Sequence, residues 1–392
     1  NGYLLETIGK QTLRIADNPR ECAESDVIFV TVGTPSAEDG SIDLDQVKSA
    51  ATAIGQSIRE SISIQTVVIK STVVPGIART VIKPILENES RKSAGTGFGL
   101  VSSPEFLRTG NAVRDTEVPH LLVFGGEDAK AMDRLEVLCR EFYGTRLPQI
   151  IRTTHENAEL IKYANNAYQA TRISFINTIA AIAERIDKAD VSAISMAVGL
   201  GTRAGSTFVR AGLGYGGPCL PKDLKAFVHF SRTLGYEPEL FNAVSEVNRR
   251  QPLKAVEFAE SVFGSIQSRR VAILGLASKP QTNEMRDAVS IQIIRLLLQK
   301  GAEVTAYDPV ANEAARKVLQ DQIQYADDAR QCVKDADLAI LVTEWDEFRS
   351  LTPSDILTLM KTPVVFDGRR VFDGSKMRAA GIRFSAIGLG TS

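Results

Sequence analysis

The sequence predicts an α/β protein in which two parallel-sheet domains are joined by a central helical segment. Short apolar runs alternate with helical patterns in the first and last parts of the chain, which is typical of βαβ units. Between these parts lies a long stretch without Gly or Pro, which predicts a helix too long for a crossover within a sheet. At 392 residues the chain is also too long for a single hydrophobic core. The predicted domains cover residues 1–155, 156–255 and 256–392.

The first domain contains four predicted strands. Continuous apolar runs, rather than alternating ones, indicate strands that are buried on both faces of a parallel sheet. Residues 44–59 show helical periodicity opened by acidic residues, which predicts a helix between the first two strands. The strands are expected at residues 27–32, 67–70, 99–102 and 121–125.

The central domain begins with the long predicted helix, residues 159–188, which is rich in Ala, Ile, Asn and Glu. A helix of this length suits a spine between domains or a contact between two subunits. Helical patterns continue to about residue 263 and are interrupted by the Gly-rich residues 211–217.

The last domain repeats the alternation of strands and helices from Arg270 onward, with a helix predicted at residues 290–299. Gly275 opens a turn from strand to helix, but the further glycines that cradle a pyrophosphate do not follow it. We therefore interpret this turn as a tightly packed connection. The strands are expected at residues 271–275, 303–307, 338–342 and 364–366.

Composition excludes several classes of partner. A net charge of -1 argues against a general nucleic-acid or membrane-surface partner, because neither sign of charge dominates. No apolar run is long enough to cross a bilayer and no basic-then-apolar leader opens the chain, so a cytoplasmic protein is expected. The four cysteines are far apart and the three histidines form no ligand pattern, so neither a metal site nor a disulfide framework is expected.

The strongest chemical motif surrounds Cys219 and reads Gly-Tyr-Gly-Gly-Pro-Cys-Leu-Pro-Lys-Asp from Gly214 to Asp223. Glycines before the cysteine let the backbone fold closely, and the prolines stiffen its exit. Lys222 would favour the thiolate form of Cys219, and Asp223 could hold a water or relay a proton. A lone cysteine is more often a buried structural residue, but that alternative leaves the glycines and the Lys-Asp pair unexplained.

Other polar residues follow strands, where parallel-sheet proteins bind their ligands. Ser71-Thr72 and residues 32–35 each follow a predicted strand, and Glu105 follows the third one. Lys162 and Asn166 are spaced i,i+4 on the long helix and therefore point to one face, a pattern that alone is typical of a solvated face.

Together these motifs resemble the UDP-glucose/GDP-mannose dehydrogenase family, in family order over nearly the whole chain. Each motif alone is weak, but the set is highly specific. The resemblance implies an N-terminal Rossmann-like NAD-binding domain, a central helical dimerisation domain and a C-terminal Rossmann-like domain for the UDP-sugar. The matching segments are Val32-Gly33-Thr34-Pro35, Ser71-Thr72-Val73, Ser103-Pro104-Glu105-Phe106-Leu107, Glu159-Leu160-Ile161-Lys162, Gly216-Gly217-Pro218-Cys219, Gly275-Leu276-Ala277-Ser278-Lys279, Thr343-Glu344-Trp345 and Asp367-Gly368-Arg369-Arg370.

The family implies an NAD-dependent, two-step, four-electron oxidation of the C6 hydroxymethyl group of a nucleotide sugar. By the resemblance, Cys219 is the nucleophile that captures the aldehyde as a thiohemiacetal, which is oxidised to a thioester and then hydrolysed. Lys162, Asn166 and Asp223 match residues that stabilise alkoxide-like oxygens and a catalytic water. Thr72 and Glu105 match residues that assist proton transfer and hydrolysis.

The resemblance also implies binding residues. Arg203 matches an arginine that reaches the site of the neighbouring subunit, so a homodimer through the long helix is expected. Residues that match contacts to the UDP-sugar are Phe106, Leu107, Phe208, Arg210, Gly216, Lys279 and Arg369. Residues that match contacts to NAD are Val32, Gly33, Thr34, Pro35, Ser71, Thr72, Lys222 and Arg286.

Two features depart from the family pattern. The opening βαβ unit with its glycine fingerprint is not in this sequence, so we expect an N-terminally truncated NAD domain that binds NAD far less well than the chain binds UDP-sugar. Thr109 stands where many relatives carry a glutamate near the nicotinamide ribose.

Three alternatives stay open at this point. Residues 343–345 and 367–370 resemble the UDP-glucose branch, but other segments occur in both branches, so GDP-mannose or another UDP-hexose is also a candidate substrate. A 3-hydroxyacid dehydrogenase would share the sheet, the long helix and the Lys/Asn pair, but it needs no nucleophilic cysteine. A catalytically impaired nucleotide-sugar-binding fragment is the third alternative.

Overall fold

The computed structural model describes Thr7, Lys10 and residues 12–200 and 209–390. It divides into two compact units, Asn1–Ala164 and Asn165–Ser392. The boundary falls within one continuous helix, His155–Ala183, which we call the long helix. Both ends of this helix lie closer to the N-terminus than the predicted residues 159–188. Thr154 already accepts a helical hydrogen bond at the start, and after Ala183 the backbone hydrogen bonds change to i,i+3 spacing. The predicted α/β fold is confirmed, and the three-domain boundaries stay a prediction.

The first unit is built on a five-stranded sheet in the order β1-β2-β3-β4-β5. The first three strands are parallel, β4 meets β3 through one antiparallel bridge between Ser102 and Gly125, and β5 is parallel to β4. The fifth strand was not predicted, because its side chains are partly or fully exposed and form no buried apolar run. The strands are Val27–Val30, Thr66–Ile69, Gly99–Ser102, Leu121–Gly125 and Gln149–Thr153.

Both faces of this sheet are covered, as its apolar strands predict. Successive side chains of β2 point to opposite faces: Val67 packs with Ile58 and Leu86, whereas Val68 packs with Leu135. Truncating a buried leucine such as Leu86 would cost about 2–5 kcal/mol of stability. Within residues 12–154, the α-helices of this unit are Asp45–Ile58, Lys83–Ser90, Ala112–Glu117 and Ala129–Tyr143.

The second unit contains a six-stranded, fully parallel sheet in the order β11-β10-β9-β6-β7-β8. The central strand β6 pairs with β7 on one side and β9 on the other, so the strand order reverses there. Open parallel sheets bind ligands beyond the carboxyl ends of strands at such a reversal. The two edge strands were not predicted, since β8 is very short and β11 is only partly buried. The strands are Arg270–Leu274, Glu303–Tyr307, Gln324–Tyr325, Leu338–Leu341, Val364–Asp367 and Arg383–Ala386.

The long helix also contributes to the core of the second unit. Ile176 and Ala180 pack in the same buried cluster as Leu213 and Ile293. In the part of this unit that the structure describes, the other α-helices are Val191–Leu200, Leu220–Thr233, Glu239–Arg250, Leu253–Phe263, Val289–Gln299, Asn312–Leu319, Ala329–Val333, Pro353–Leu359 and Gly374–Ala379. Within residues 12–200 and 209–390, no helix is both long enough and apolar enough to cross a lipid bilayer.

Candidate active site

The glycines before Cys219 are required by the fold of the loop that carries it, residues 211–219, which we call the cysteine loop. Gly214 and Gly217 have φ values of +100° and +82°, a backbone conformation that other residues rarely adopt. A side chain at Gly216 would overlap the carbonyl oxygen of Asp287. The N–H of Gly217 donates a 3.1 Å hydrogen bond to the carbonyl of Arg286. The loop therefore folds closely against its own chain.

Two asparagines that the sequence did not single out hold this loop in place. The Oδ1 atom of Asn248 accepts the Tyr215 N–H at 2.8 Å and its Nδ2 donates to the Tyr215 carbonyl at 3.0 Å. The Oδ1 atom of Asn177 accepts the Gly212 N–H at 2.8 Å. Both asparagines lie on helices, and neither is marked by its local sequence as a residue that binds a distant loop.

Cys219 is half-buried and lies at the N-cap of the helix Leu220–Thr233. The first N–H groups of a helix carry a partial positive charge, which favours a thiolate at that position. The pKa of the Arg286 guanidinium is raised, chiefly by its hydrogen bond to Glu284. The nearby Cys219 acts on this pKa in the same direction.

Polar side chains form linked contacts at the first turn of this helix. The Nδ2 atom of Asn166 donates a 2.7 Å hydrogen bond to Oδ2 of Asp223, whose side chain is 2% exposed. The other carboxylate oxygen lies 2.8 Å from Nζ of Lys222. Because Asp223 follows Cys219 by four residues, it lies one helical turn beyond it, and its N–H donates to the Cys219 carbonyl at 2.8 Å.

Lys162 and Glu105 form a second pair, in the first unit. The Lys162 side chain is 3% exposed, and its Nζ donates to the carbonyl oxygen and to Oε1 of Glu105, at 2.7 and 3.0 Å. Nζ also lies 5.6 Å from the ring centroid of Phe106. The Glu105 carboxylate accepts the N–H of Leu107, whose side chain is exposed. A buried ammonium is thus compensated by one carboxylate and one carbonyl, as burial of a charge requires.

The predicted cofactor residues of the first unit lie at the carboxyl ends of β1 and β2. The Ser71 hydroxyl donates to the Val32 carbonyl at 2.7 Å, so the turns after the two strands are tied together. Gly33 and Pro35 are exposed at this edge, whereas Thr34 is buried. Thr72 lines a small cavity together with Pro104, Glu159 and Lys162. An exposed backbone turn at the carboxyl edge of a parallel sheet fits a bound dinucleotide.

In the second unit, Arg369 extends from the turn after β10. Its Nε donates to the Val342 carbonyl at 2.7 Å and lies 3.5 Å from a carboxylate oxygen of Glu344. A Cβ added at Gly212 would lie 2.7 Å from the guanidinium, so the cysteine loop and Arg369 meet in this unit.

Two buried aspartates, to which the sequence analysis gave no role, hold the turns at the carboxyl edge of the second sheet. Asp308, 1% exposed, accepts the N–H groups of Leu276 and Ala277 at 2.8 and 3.0 Å, and Nε1 of Trp345 at 3.1 Å. Asp367 accepts the Arg369 N–H at 3.0 Å, and burial raises the pKa of its carboxyl. An acid directly after a strand was the available signal, but only the structure shows that both carboxylates bind the protein's own donors.

The predicted residues thus divide between the two units. Arg203 and Phe208 lie outside the described residues. Arg210 and Arg286 are exposed and Lys279 is half-buried. The first unit holds Val32, Gly33, Thr34, Pro35, Ser71, Thr72, Glu105, Phe106, Leu107 and Lys162. The second unit holds Asn166, Arg210, Gly216, Cys219, Lys222, Asp223, Lys279, Arg286 and Arg369.

Models of three domains of one family match the chain in order. They are described as the NAD binding domain, the central domain and the UDP binding domain of the UDP-glucose/GDP-mannose dehydrogenase family, and they match residues 2–143, 156–250 and 272–374.

Individual proteins are similar over most of their length. The UDP-glucose 6-dehydrogenase TuaD of Bacillus subtilis is 40% identical over 372 residues, which cover 95% of this chain and 78% of that protein. The UDP-glucose 6-dehydrogenase AglM of Haloferax volcanii is 40% identical over 369 residues, with coverages of 94% and 85%. The solved structure of a UDP-glucose dehydrogenase from Pyrobaculum islandicum, 35% identical, matches with a TM-score of 0.89 over 98% of this chain and 85% of its own. This match confirms the two Rossmann-like domains and the central helical region.

Proposed function

The chain belongs to the UDP-glucose/GDP-mannose dehydrogenase family, and from this premise we propose that it oxidises UDP-glucose to UDP-glucuronate. It is an NAD-dependent dehydrogenase. The proposal extends this to two successive oxidations of one C6 hydroxymethyl group, four electrons in all, with a covalent intermediate on Cys219. The observation that carries it is the cysteine at a helix N-terminus, one turn before a buried Asp223 that Asn166 and Lys222 hold.

In the first oxidation the C6 hydroxyl loses a proton and the carbon loses a hydride, which gives an aldehyde. A buried ammonium near the reacting oxygen stabilises the negative charge that develops on it. Lys162 is suited to this role, because its ammonium is buried and is hydrogen-bonded to Glu105 instead of being solvated by bulk water. Thr72, which lines the same cavity, would assist the proton transfer.

In the second oxidation the Cys219 thiolate adds to the aldehyde carbon. The carbonyl oxygen takes up a proton and the product is a thiohemiacetal, which loses a hydride and a proton to become a thioester. Asn166 and Asp223 would bind the oxygen of this intermediate and a water molecule. Covalent capture keeps the reactive aldehyde from escaping before the second oxidation.

Hydrolysis then completes the reaction. Water adds to the thioester carbon, the carbon–sulfur bond breaks, and the carboxylate and the Cys219 thiolate are released with protons to solvent. Glu105 and Asp223 are the carboxylates proposed to orient or deprotonate this water. Each already accepts hydrogen bonds from fixed donors, Leu107 N–H and Asn166 Nδ2 respectively, so their orientation is set before substrate arrives.

NAD supplies the hydride acceptor for both oxidations when it is bound. The residues proposed to hold it are Val32, Gly33, Thr34, Pro35, Ser71 and Thr72 at the edge of the first sheet, together with Lys222 and Arg286. The exposed Gly33 and Pro35 and the tie between Ser71 and Val32 support the first group.

For the substrate, cationic side chains suit the diphosphate of a UDP-sugar. The backbone of Arg369 is held by Asp367 and its guanidinium by the Val342 carbonyl, which supports a fixed role in this recognition. The complete proposed set is Phe106, Leu107, Phe208, Arg210, Gly216, Lys279 and Arg369, with Arg203 provided by a second subunit.

A homodimer through the long helix is part of the proposal. Tyr168, Phe175 and Ile182 are spaced by seven residues and are 57%, 51% and 53% exposed. Large apolar side chains at this spacing form a stripe along one side of a helix, which is the pattern of a helix that packs against another. A stripe of this kind is costly to leave in water, so we infer that a second copy covers it.

Product analysis tests the proposal. The protein is incubated with NAD and one sugar nucleotide at a time, namely UDP-glucose, UDP-galactose, UDP-N-acetylmannosamine or GDP-mannose, and the products are identified by mass spectrometry. We expect UDP-glucuronate and two equivalents of NADH per UDP-glucose. Preferred oxidation of another sugar nucleotide would assign a different substrate. One NADH per sugar would contradict the covalent second oxidation, and no turnover of any of the four compounds would overturn the proposed function.

A further inference from the structure

Glu159, on the long helix, makes an unusual contact with the backbone of a distant segment. Its side chain is 3% exposed, and its two carboxylate oxygens accept the N–H groups of Gly76 and Ala78 at 2.6 and 2.9 Å. These N–H groups belong to residues 71–79, which we call the Thr72 segment because it carries Thr72 from the end of β2 into the next helix. One side chain therefore ties this segment to the helix that carries Lys162.

The contact replaces a cap that the local sequence does not supply. The helical turn Ala78–Ile82 has no side-chain hydrogen bond at its own N-cap, Ile77. The first N–H groups of a helical segment need acceptors, and a carboxylate there is also favoured by the helix dipole. Glu159 meets this need from 81 residues further along the chain. Loss of the carboxylate would leave one buried and one partly buried N–H group without their acceptor.

The long helix makes a second contact with the Thr72 segment, and this second contact is exposed to solvent. Glu156, one turn before Glu159, pairs with Arg79, but both side chains are substantially exposed. Exposed ion pairs contribute little to structure, whereas Glu159 accepts its hydrogen bonds in the interior. The two glutamates thus offer a matched comparison between a surface contact and a buried one on the same pair of elements.

Several polar groups face Glu159. Glu156 precedes it on the long helix and Lys162 follows one turn later, while Ser102 approaches from β3 and Arg79 from the Thr72 segment. Ser102 is itself hydrogen-bonded to Nδ1 of His155 at 2.9 Å. Burial raises the pKa of the Glu159 carboxyl to about 7, although the Ala78 and Gly76 N–H groups act against this.

We propose that Glu159 is a positioning residue that fixes the Thr72 segment against the long helix and thereby sets the relation between the Thr72 hydroxyl and the Lys162 ammonium. Thr72, Glu159 and Lys162 line one small cavity, so a shift of the segment changes the cavity that Thr72 and Lys162 share. The inference rests on the proposed function for the roles of Thr72 and Lys162. Glu159 itself contacts backbone groups and acts on the reaction only through these two residues.

The first test compares E159Q with E156Q in steady-state kinetics on UDP-glucose. Glutamine keeps the size of the side chain but presents an NH2 group to one of the two N–H donors. We expect kcat of E159Q to fall at least about tenfold with little change in KM, since a displaced catalytic pair affects the chemical step more than substrate affinity. The control E156Q should keep both constants near those of the unsubstituted protein. Equal kcat values for E159Q and the unsubstituted protein would overturn the inference.

A second measurement does not depend on turnover. The amide proton resonances of Gly76 and Ala78 are followed by NMR in the intact protein between pH 5 and 9. Protonation of an accepting carboxylate weakens both hydrogen bonds, so we expect the two resonances to move together as Glu159 titrates, and to stay fixed in E159Q. Resonances that coincide in the unsubstituted protein and in E159Q at every pH would show that the contact does not hold the segment. If no UDP-hexose is oxidised, the proposed function fails, and this titration still decides whether Glu159 holds the segment.

Discussion

The side-chain amide of Asn166 donates a 2.7 Å hydrogen bond to the carboxylate of Asp223, and both side chains are buried. The bond joins the long helix to the first turn of the helix that follows Cys219. It fixes the amide orientation, because the Nδ2 group must face the carboxylate and the Oδ1 atom must then face away from it. A carboxylate in this position is also paired with Lys222, so its charge is compensated within the protein.

Removing either partner of this hydrogen bond should impair turnover. We expect Asn166→Ala and Asp223→Asn each to lower kcat by about 100-fold, the usual cost of one group that binds a developing oxyanion or its water. The double variant should lose much less than the product of the two single losses, because the pair acts as a unit. Gln169→Ala, an exposed residue of the same helix, is the control. Strictly multiplicative losses would show that the two residues act independently.

Cys219→Ser should abolish formation of the uronate while leaving UDP-glucose binding nearly unchanged. Serine cannot form a thiohemiacetal, so net formation of the acid should fall by at least about 1000-fold, as for loss of a catalytic nucleophile. Cys139→Ser is a suitable control, since burial raises the pKa of the Cys139 thiol and makes it a poor nucleophile. Product mass spectrometry and titration calorimetry measure the two effects. Acid production by Cys219→Ser at the rate of the unsubstituted protein would rule out the covalent mechanism.

Lys162→Ala should reduce kcat by about 100- to 1000-fold with a much smaller change in affinity, because its charge acts mainly on the developing oxyanion. Removing it also leaves the Glu105 carboxylate without its partner. Lys83→Ala removes a surface lysine that pairs with the exposed Glu127 and serves as the control. An effect confined to KM would instead identify Lys162 as a residue that binds the ground state.

Charge placed in the exposed stripe of the long helix should separate the proposed dimer. Phe175 and Ile182 are both more than half exposed, so Phe175→Arg with Ile182→Glu should leave the fold of the chain intact. We expect this double substitution to weaken association by at least about 100-fold, as substitution of central interface residues generally does. Leu357→Glu, at an exposed leucine of the last domain, is the control for added charge. Sedimentation velocity at micromolar concentration gives the result, and an unsubstituted protein that sediments as a monomer would contradict the dimer.

Stability should depend on pH through Glu159. Burial raises the pKa of this carboxyl from 4.5 to about 7, so the folded protein holds the proton more tightly than the unfolded chain does. The associated stability is therefore fully present below about pH 4.5 and is lost as pH rises through about 7. At about 1.4 kcal/mol per pKa unit the loss amounts to roughly 3 kcal/mol. Glutamine does not titrate, so E159Q should lack this part of the decline.

Urea unfolding of the two proteins at pH 5 and pH 8 measures this difference. Subtracting the pH dependence of E159Q removes contributions that the two proteins share, including that of His155, whose pKa is lowered by burial. Parallel stability curves for the two proteins across this range would show that Glu159 does not titrate with a raised pKa.

The sequence by itself determined the fold class, most strand positions and the membership of the family. Buried parallel strands need continuous apolar runs, and these are visible without any tertiary information. Strands β3, β4 and β7 occur with the predicted bounds. The strands β5, β8 and β11 were missed, since exposed or short strands leave no such run.

The candidate site could be predicted as a set of residue types but not as a set of contacts. The cysteine loop was identified by its composition, and the strand ends by their position. Only the tertiary structure decided that Gly216 is needed because of Asp287, that Asn248 and Asn177 hold the loop, and that Asp308 caps the Gly275 turn. Each of these contacts joins residues that are distant in sequence, and local propensity contains no information about them.

Glu159 shows the same division most clearly. Its position on a helix, three residues before Lys162, was evident from the sequence, and a helix with this periodicity could equally have placed it in water. The fold instead buries it and sets it against two backbone N–H groups of another segment. Hydrogen bonds to backbone atoms leave no mark in the partner's side-chain sequence, which is why the tertiary structure alone decided this contact and the raised pKa that follows from it.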